Sequence, residues 1–187
     1  MKAALMLGVN PNAEREKNDF YATDPRAMEV AMPFFEDIGL ADSVWECACG
    51  EGHLSEVLKK HGYNVYSSDL VDRGYGDVVD FLNCNDCFTG DIVTNPPFKF
   101  AEQFVDKGMS LITDGHKVCL FLKVQFLESK SRKLLFNRHP LKHLMVYSER
   151  QKCAKNAEFD KYTATTQCYC WFVFEKGYVG EPTIKWI

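Results

Sequence analysis

Residues 43–52 read SVWECACGEG, an apolar run that leads directly into two glycines. The helix-like segment HLSEVLKK follows at residues 53–60, with Leu54, Val57 and Leu58 on one face. Glycines at a strand-to-helix turn let a ligand approach the backbone, and the N-terminus of a helix favours negatively charged groups. This strand, turn and helix predict the first unit of an α/β fold with a ligand site at the turn.

Strand-like and helix-like segments alternate along the rest of the chain. Helices are predicted at about residues 26–38, after Phe98 and at about 129–138, and strands at 64–68, 77–82, 91–94, 117–122, 144–147 and 168–174. Such alternation predicts a mainly parallel sheet with helices on both faces. No helix separates the last two strands, so one of them can be antiparallel. Residues 149–166 read as a long polar loop without periodicity, and the strand at 168–174 is expected to end the regular structure.

Acidic residues stand where two of these strands end. Asp69 follows the strand at 64–68, and an acid in this position can accept both ribose hydroxyls of a nucleoside cofactor. Asp80 and Phe81 lie at the end of the next strand. The glycine turn lacks the third glycine of the dinucleotide fingerprint. A nicotinamide-binding fold would share the strand, the turn and Asp69, so these features alone leave the cofactor open.

The strand at residues 91–94 ends at the tetrapeptide Asn95-Pro96-Pro97-Phe98. Two prolines fix the backbone and remove two donors, which leaves the Asn95 side-chain oxygen and the Pro96 carbonyl as rigid acceptors. Two acceptors beside an aromatic ring suit a flat base that carries an exocyclic amine. They would stabilise the positive charge that develops when the amine attacks an electrophile. The plain alternative is a proline turn, because Asn-Pro often opens turns.

These motifs together resemble the S-adenosylmethionine-dependent amino-methyltransferases that act on DNA. The resemblance is carried by ECACGEG at residues 46–52, Asp69 and NPPF at 95–98. More narrowly, the chain resembles the small phage- and prophage-type adenine-specific DNA methyltransferases. That narrower match rests on DFYATDP at 19–25, KVQFLES at 123–129, YSER at 147–150 and WFVFEKGY at 171–178. The resemblance implies a Rossmann-like class I methyltransferase fold with one antiparallel strand near the C-terminus.

The resemblance also implies roles for individual residues. S-adenosyl-L-methionine would be bound by Phe20, Tyr21, Ala22, Thr23, Pro25, Glu46, Cys47, Ala48, Gly50, Gly52, Asp69, Leu70, Asp80, Phe81 and Asn95. Within this set, residues 20–25 would close over the methionine carboxylate, the two glycines would border the methionine, and Asp69 would hold the ribose. Asp80 and Phe81 would hold the adenine of the cofactor. The catalytic group that takes the target base would be Asn95, Pro96, Pro97 and Phe98.

The charge distribution bears on a DNA partner. The net charge is −4, but residues 123–161 hold ten Lys/Arg against four Asp/Glu. This segment could form a surface that follows phosphates, with Lys123, Gln125, Arg150, Lys152, Lys155 and Asn156 as the residues predicted to bind DNA. The alternative is a solvated helix face followed by a polar loop. No separate target-recognition domain is visible, so short or loose sequence specificity is expected.

Length and composition fit one domain at residues 19–187, preceded by a flexible tail at 1–18. The chain has 187 residues, 46% of them hydrophobic, and no apolar run approaches membrane-spanning length. Two pairs among the eight cysteines, Cys84 with Cys87 and Cys168 with Cys170, have metal-ligand spacing. Most cysteines lie in apolar runs, however, and no second ligand set is present. We therefore expect reduced thiols in a cytoplasmic protein and no metal site.

Three classes of function remain open. The leading hypothesis is an enzyme that methylates the exocyclic amine of adenine in DNA. The second is the same chemistry on cytosine in DNA, an RNA base or a protein glutamine, because similar tetrapeptides serve those substrates. The third is a non-catalytic nucleotide-binding or DNA-binding module. The oligomeric state is not indicated by the sequence.

Overall fold

The computed structural model describes residues 21–151, 153–155 and 167–187. The strands of these residues are β1 (Tyr21–Thr23), β2 (Ser43–Glu46), β3 (Asn64–Asp69), β4 (Asp77–Val78), β5 (Asp91–Thr94), β6 (Lys117–Lys123), β7 (Leu141–Val146), β8 (Cys153–Lys155), β9 (Tyr169–Glu175) and β10 (Thr183–Trp186). The α-helices are α1 (Pro25–Asp37), α2 (His53–Lys60), α3 (Ala101–Leu111) and α4 (Lys130–Arg138). Short 3₁₀ turns lie at Phe81–Asn83, Phe98–Phe100 and Val124–Leu127.

Eight strands form one mixed sheet in the order β10-β7-β9-β6-β5-β2-β3-β4. Strand β9 runs antiparallel to both of its neighbours, and the other pairings in this sheet are parallel. The predicted α/β class, the parallel character of the sheet and its antiparallel strand near the C-terminus are therefore confirmed. The strand order reverses between β2 and β5, and ligands bind at such switch points, outside the carboxyl ends of the strands.

Each face of the sheet packs against its own helices. One core joins α1 and α2 to side chains such as Trp171, whose ring meets that of Phe35 edge-on at 5.1 Å. The other core joins α3 and Leu135 of α4 to Phe172 and Phe174. Successive residues of β9 thus point into different cores, and both sets are buried. This explains why the central strands read as unbroken apolar runs instead of alternating patterns.

Three details of the predicted secondary structure are wrong. The predicted strand at 77–82 is a strand only at Asp77–Val78 and then becomes a 3₁₀ turn, because the Asp80 carboxylate accepts from the Leu82 N–H at 3.1 Å. Strand β10 lies beyond the expected end of regular structure. It is only four residues long and its two large apolar side chains, Ile184 and Trp186, are exposed, so it does not read as a buried strand.

The third correction concerns the predicted polar loop at residues 149–166, which contains strand β8. This strand pairs antiparallel with β1 in a separate two-stranded sheet. Two three-residue strands more than a hundred positions apart are too short to show a periodic pattern. The predicted tail at residues 1–18 lies outside the described residues.

The helices of the described residues can be compared with what a membrane-spanning helix requires. None of them combines the length and the apolar character that a membrane-spanning helix requires.

Candidate active site

An open cleft lies at the carboxyl ends of β2, β3 and β5, next to the reversal of strand order. Its empty volume is about 1050 Å³, counting the part that is open to solvent. The structure brings together in this cleft most residues that the sequence predicts for cofactor and base, namely Ala22, Thr23, Glu46, Cys47, Ala48, Asp69, Leu70, Asp80, Phe81, Asn95, Pro96, Pro97 and Phe98. The predicted cofactor residues and the predicted catalytic tetrapeptide therefore share one cavity.

Several predicted residues stand elsewhere. Pro25, Gly50 and Gly52 do not line the cleft. Phe20 and the side chain of Tyr21 lie outside what the structure describes. The sequence reasoning also missed part of the lining, which is formed by Cys49, His53, Leu54, Val71, Arg73, Val79, Leu82, Lys99, Phe100 and Phe104. Many of these residues are adjacent in sequence to motif residues, and extending each motif by a few positions would have included them.

The Asp69 carboxylate is held in place by two backbone donors. Its Oδ2 accepts from the Gly50 N–H at 2.9 Å, and its Oδ1 accepts from the Val71 N–H at 3.0 Å. An ionised carboxylate has about four acceptor positions, so each oxygen retains room for a further donor. Gly50 thus acts through its backbone, orienting an acid that faces the cleft. Asp69 can accept two hydroxyl groups from a ligand.

Gly52 is needed because of a neighbouring side chain. The ring of Tyr75 covers it, and the Tyr75 hydroxyl accepts from Lys59 Nζ at 2.7 Å and donates to Glu56 Oε1 at 2.5 Å. A Cβ added at Gly52 would lie 2.5 Å from that ring, and the residue has a φ of +84°. The second glycine of the turn thus lets the loop between β3 and β4 close over the start of α2.

We expect Gly52→Ala to lower the melting temperature more than Gly39→Ala does. Gly39 has a φ of +66° with no atom within 4 Å of its added Cβ, so alanine there meets conformational strain alone. That strain amounts to roughly 1–2 kcal/mol, and at Gly52 the clash with Tyr75 adds to it. Equal losses in thermal unfolding of the two variants would contradict the assigned role of Tyr75.

An apolar slot adjoins Asp69. Phe81 is buried and packs against Trp45 at 5.2 Å and Phe104 at 4.9 Å between ring centroids. Asp80, at the rim, accepts from the Leu82 N–H and from Asn83 Nδ2 at 2.7 Å. Phe81 and Phe104 line the cleft, backed by Trp45, and form a wall of rings with the fixed Asp80 carboxylate beside it. Such a wall suits a flat heterocycle with an amine at its edge.

Glu46 is a buried carboxyl group that lines the cleft. It is 2% exposed, and the Ser55 hydroxyl, itself 2.7 Å from the Ser67 hydroxyl, donates to its Oε2. Burial raises the pKa of Glu46 to about 8, against the smaller lowering effect of the Ser55 hydrogen bond. Near neutral pH this group therefore holds a proton in the protein without ligand.

The raised pKa of Glu46 predicts a pH-dependent stability. The folded protein keeps this proton up to about pH 8, whereas the unfolded chain releases it near 4.5. The stabilising contribution is thus fully present below 4.5 and is lost as the pH rises towards 8. Within that window the parent should lose about 1.4 kcal/mol of unfolding free energy per pH unit relative to Glu46→Gln. Urea unfolding of both proteins across the window measures this, and parallel pH profiles would contradict it.

The tetrapeptide leaves β5 directly into the cleft. Asn95 Nδ2 donates to Thr23 Oγ1 at 2.8 Å, and Pro96 is buried. The Phe98 ring lies 6.2 Å from that of Tyr169 and carries Lys123 Nζ 5.1 Å from its centroid. Phe98 is half-buried, so an aromatic surface stands beside the amide of Asn95.

The structure describes only some of the side chains that are predicted to bind nucleic acid. Lys123 lies beside Phe98, whereas Gln125 and Arg150 are exposed. Lys155 belongs to β8, but its side chain, together with Lys152 and Asn156, lies outside the described residues.

Acidic side chains of α3 form ion pairs with two arginines of the basic segment at residues 123–161. Arg132 and Arg138 of α4 pair with Glu102 and Asp106 of α3, at 3.4 and 3.0 Å. For these two arginines the structure favours the alternative of a solvated helix face.

Metal ligation has no candidate in the part of the chain that the structure describes. No group of three or more His, Cys, Asp or Glu side chains there is placed to hold an ion.

Comparison with known proteins identifies the fold. No protein-family model matches the sequence, and no curated protein matches it. A putative RNA methyltransferase from Pyrococcus horikoshii superposes with a TM-score of 0.61 at 14% identity, covering 94% of this chain and 97% of that one. The fold is that of the class I methyltransferases.

Two further solved structures share this fold. Magnesium protoporphyrin IX methyltransferase from Synechocystis, solved with bound S-adenosylmethionine, gives a TM-score of 0.56 at 12% identity, covering 82% of this chain and 79% of that one. The type IIG restriction endonuclease BpuSI gives 0.59 at 14% identity. There the match covers 83% of this chain but only 25% of the endonuclease. At these identities the likeness establishes the fold, and the chemistry has to be argued from the cleft.

Proposed function

We propose that this protein transfers a methyl group from S-adenosylmethionine to the exocyclic amine of adenine in DNA. The observation that carries the proposal is the meeting of two sets of groups in one cleft. Asp69 and the slot at Phe81 suit a nucleoside, and Asn95, Pro96 and Phe98 suit a base with an amine. Either set alone would fit a protein that only binds a nucleoside or a base. A cleft that holds a methyl donor beside an amine would allow the methyl group to be transferred.

The residues present fit the cofactor. Asp69 can accept the two ribose hydroxyls, and the slot at Phe81 with Asp80 at its rim can hold the adenine. Glu46 lines the cleft and would release its proton to pair with the ammonium of the methionine. When bound, S-adenosylmethionine supplies a methyl group on a sulfonium centre, which is electrophilic.

The tetrapeptide would make the target amine, which is a poor nucleophile, easier to methylate. The lone pair of an adenine amine is delocalised into the ring. Hydrogen bonds from its two hydrogens to Asn95 Oδ1 and the Pro96 carbonyl would favour a pyramidal nitrogen and stabilise the developing positive charge. Phe98 would stack on the flipped base. No general base is required during transfer, because the surplus proton can leave afterwards.

The choice of DNA rests on the resemblance of the motifs and on the basic residues near the cleft. Lys123 stands over Phe98, and Arg150 is exposed in the segment that leads to β8. BpuSI, which shares the fold, is a restriction endonuclease. The putative RNA methyltransferase of Pyrococcus horikoshii shares the fold equally well, so RNA is the alternative that an experiment has to exclude.

Replacing Arg150, Lys152 and Lys155 together with alanine should weaken DNA binding and flatten its salt dependence. The slope of log K against log salt should become shallower by about 0.9 for each phosphate group that the variant no longer neutralises. Alanine at Lys60, Lys176 and Lys185 is the matched control, since it removes three charges near the opposite ends of the strands or at the sheet edge. Titrations at several salt concentrations measure both slopes, and the same slope in parent and first variant would refute a phosphate-binding segment.

The proposed function is tested with methyl-labelled cofactor. The protein is incubated with separate pools of duplex DNA, RNA and unrelated proteins, and the label in each pool is counted. We expect incorporation into duplex DNA. Label in RNA or protein alone would replace the proposed substrate, and absence of label from all pools would refute methyl transfer to these substrate classes.

A further inference from the structure

The amide of Asn95 can do its proposed work only in one orientation. An asparagine side chain has an acceptor at one end and two donors at the other, and rotation of the amide exchanges them. The target amine needs the Asn95 oxygen as an acceptor for its hydrogens. If the Asn95 NH₂ group were turned to the same place, donor would face donor and no hydrogen bond would form. The sequence alone does not specify which end faces the cleft.

Thr23 bonds to the donor end of this amide. Its Oγ1 accepts from Asn95 Nδ2 at 2.8 Å, across 72 positions of sequence. Thr23 is 3% exposed, so water does not compete freely for this bond. In this arrangement the NH₂ group lies on the Thr23 side of the amide and the Oδ1 atom lies on the opposite side.

The backbone of Thr23 is itself held by the small second sheet. Strand β1 pairs antiparallel with β8, and Thr23 stands opposite Cys153 in that ladder. Directly after Thr23, the Asp24 carboxylate caps α1 by accepting from the Arg26 N–H at 3.0 Å. The hydroxyl is therefore carried by a backbone that is fixed on both sides, as an orienting group requires.

We propose that Thr23 is a positioning residue that orients the Asn95 amide so that its oxygen faces the amine to be methylated. This inference rests on the proposed function and gives Thr23 a different role from closing over the cofactor. A cofactor-closing residue would affect the affinity for S-adenosylmethionine. A positioning residue affects the rate of transfer.

Two substitutions at Thr23 separate these roles. Thr23→Val keeps the β-branched shape and removes the acceptor, and Thr23→Ser keeps the hydroxyl. Thr23→Val should lower the single-turnover rate on the order of 10-fold to 100-fold, by misplacing a group at the reacting centre. Thr23→Ser should retain most of the rate. Both should bind S-adenosylmethionine as the parent does, measured by calorimetry.

A double-mutant cycle excludes a merely structural effect. In an Asn95→Ala background, Thr23→Val should change the rate by no more than about twofold, because the group that Thr23 orients is gone. The side-chain amide signals of Asn95 in an NMR spectrum should shift in Thr23→Val and stay in place in Thr23→Ser. This second readout does not depend on activity.

The outcomes are distinguishable. Suppose that the parent methylates DNA. If Thr23→Val then transfers the methyl group as fast as the parent, or lowers the rate as much in the Asn95→Ala background as in the parent background, the role of Thr23 is overturned and the proposed function stays intact. Weaker cofactor binding with an unchanged rate would return Thr23 to the cofactor site. A parent that transfers no methyl group to any pool would overturn the proposed function, and this inference with it.

Discussion

Replacing Asn95 with alanine should slow methyl transfer on the order of 10² to 10³-fold while cofactor affinity is retained. The size follows from the comparison with removal of an oxyanion-hole donor, which also stabilises charge that appears only in the transition state. The loss should fall on kcat, because an amine that is already bound gains most from the Asn95 oxygen while its nitrogen is becoming positive. Single-turnover measurements on one DNA substrate give the rate without a contribution from product release.

Asn95→Asp is the matched control for this prediction. A carboxylate offers an acceptor in the same place, and the Thr23 hydroxyl can donate to it where it accepted from the amide. This variant should therefore keep part of the activity that alanine loses. Transfer by Asn95→Ala at nearly the parent rate would show that the tetrapeptide is an ordinary proline turn.

Replacing Asp69 with alanine should weaken binding of S-adenosylmethionine by roughly 1.5–3 kcal/mol, the range for hydrogen bonds to a charged group. This corresponds to about a 10-fold to 150-fold rise in Kd. The variant also leaves the Gly50 and Val71 N–H groups without their acceptor, so part of the loss comes from a less ordered turn. Calorimetric titration measures the affinity, and thermal unfolding reports whether the fold survives.

Asp72→Ala provides the comparison for Asp69→Ala. Asp72 is exposed, belongs to the loop that follows Asp69 and accepts from the Gly74 N–H at 2.9 Å, but it does not line the cleft. Its removal changes the net charge equally and should leave the affinity within about twofold, as expected for independent sites. If Asp69→Ala bound the cofactor as tightly as Asp72→Ala, the cofactor would lie elsewhere.

The parts of the fold that could be predicted are those whose signal is local. Residues 118–122 are apolar throughout because both faces of the central strand are covered, and β6 forms there. Asp69 and Asn95 were found because acids and amides at the ends of parallel strands converge on one edge of the sheet. The prolines after Asn95 mark the end of β5 through their fixed backbone geometry.

The parts that could not be predicted depend on residues far apart in the chain. Gly52 reads as a ligand-facing glycine, but Tyr75, 23 positions later, packs over it. Strand β8 exists because β1 pairs with it, and nothing in the sequence near Cys153 shows this. Arg132 and Arg138 look like phosphate ligands until α3 places Glu102 and Asp106 beside them. In each case the partner is specified by the packing of elements, which a local pattern does not record.

The central claim is the transfer of a methyl group to the exocyclic amine of adenine in DNA, and nucleoside mass spectrometry tests it most directly. Duplex DNA is incubated with the protein and S-adenosylmethionine that carries a trideuteromethyl group, then digested to nucleosides. We predict N6-trideuteromethyl-deoxyadenosine with the parent protein, and almost none with Asn95→Ala in the same time. A deuterated methyl group on cytosine, or on no nucleoside of the DNA, would contradict the claim.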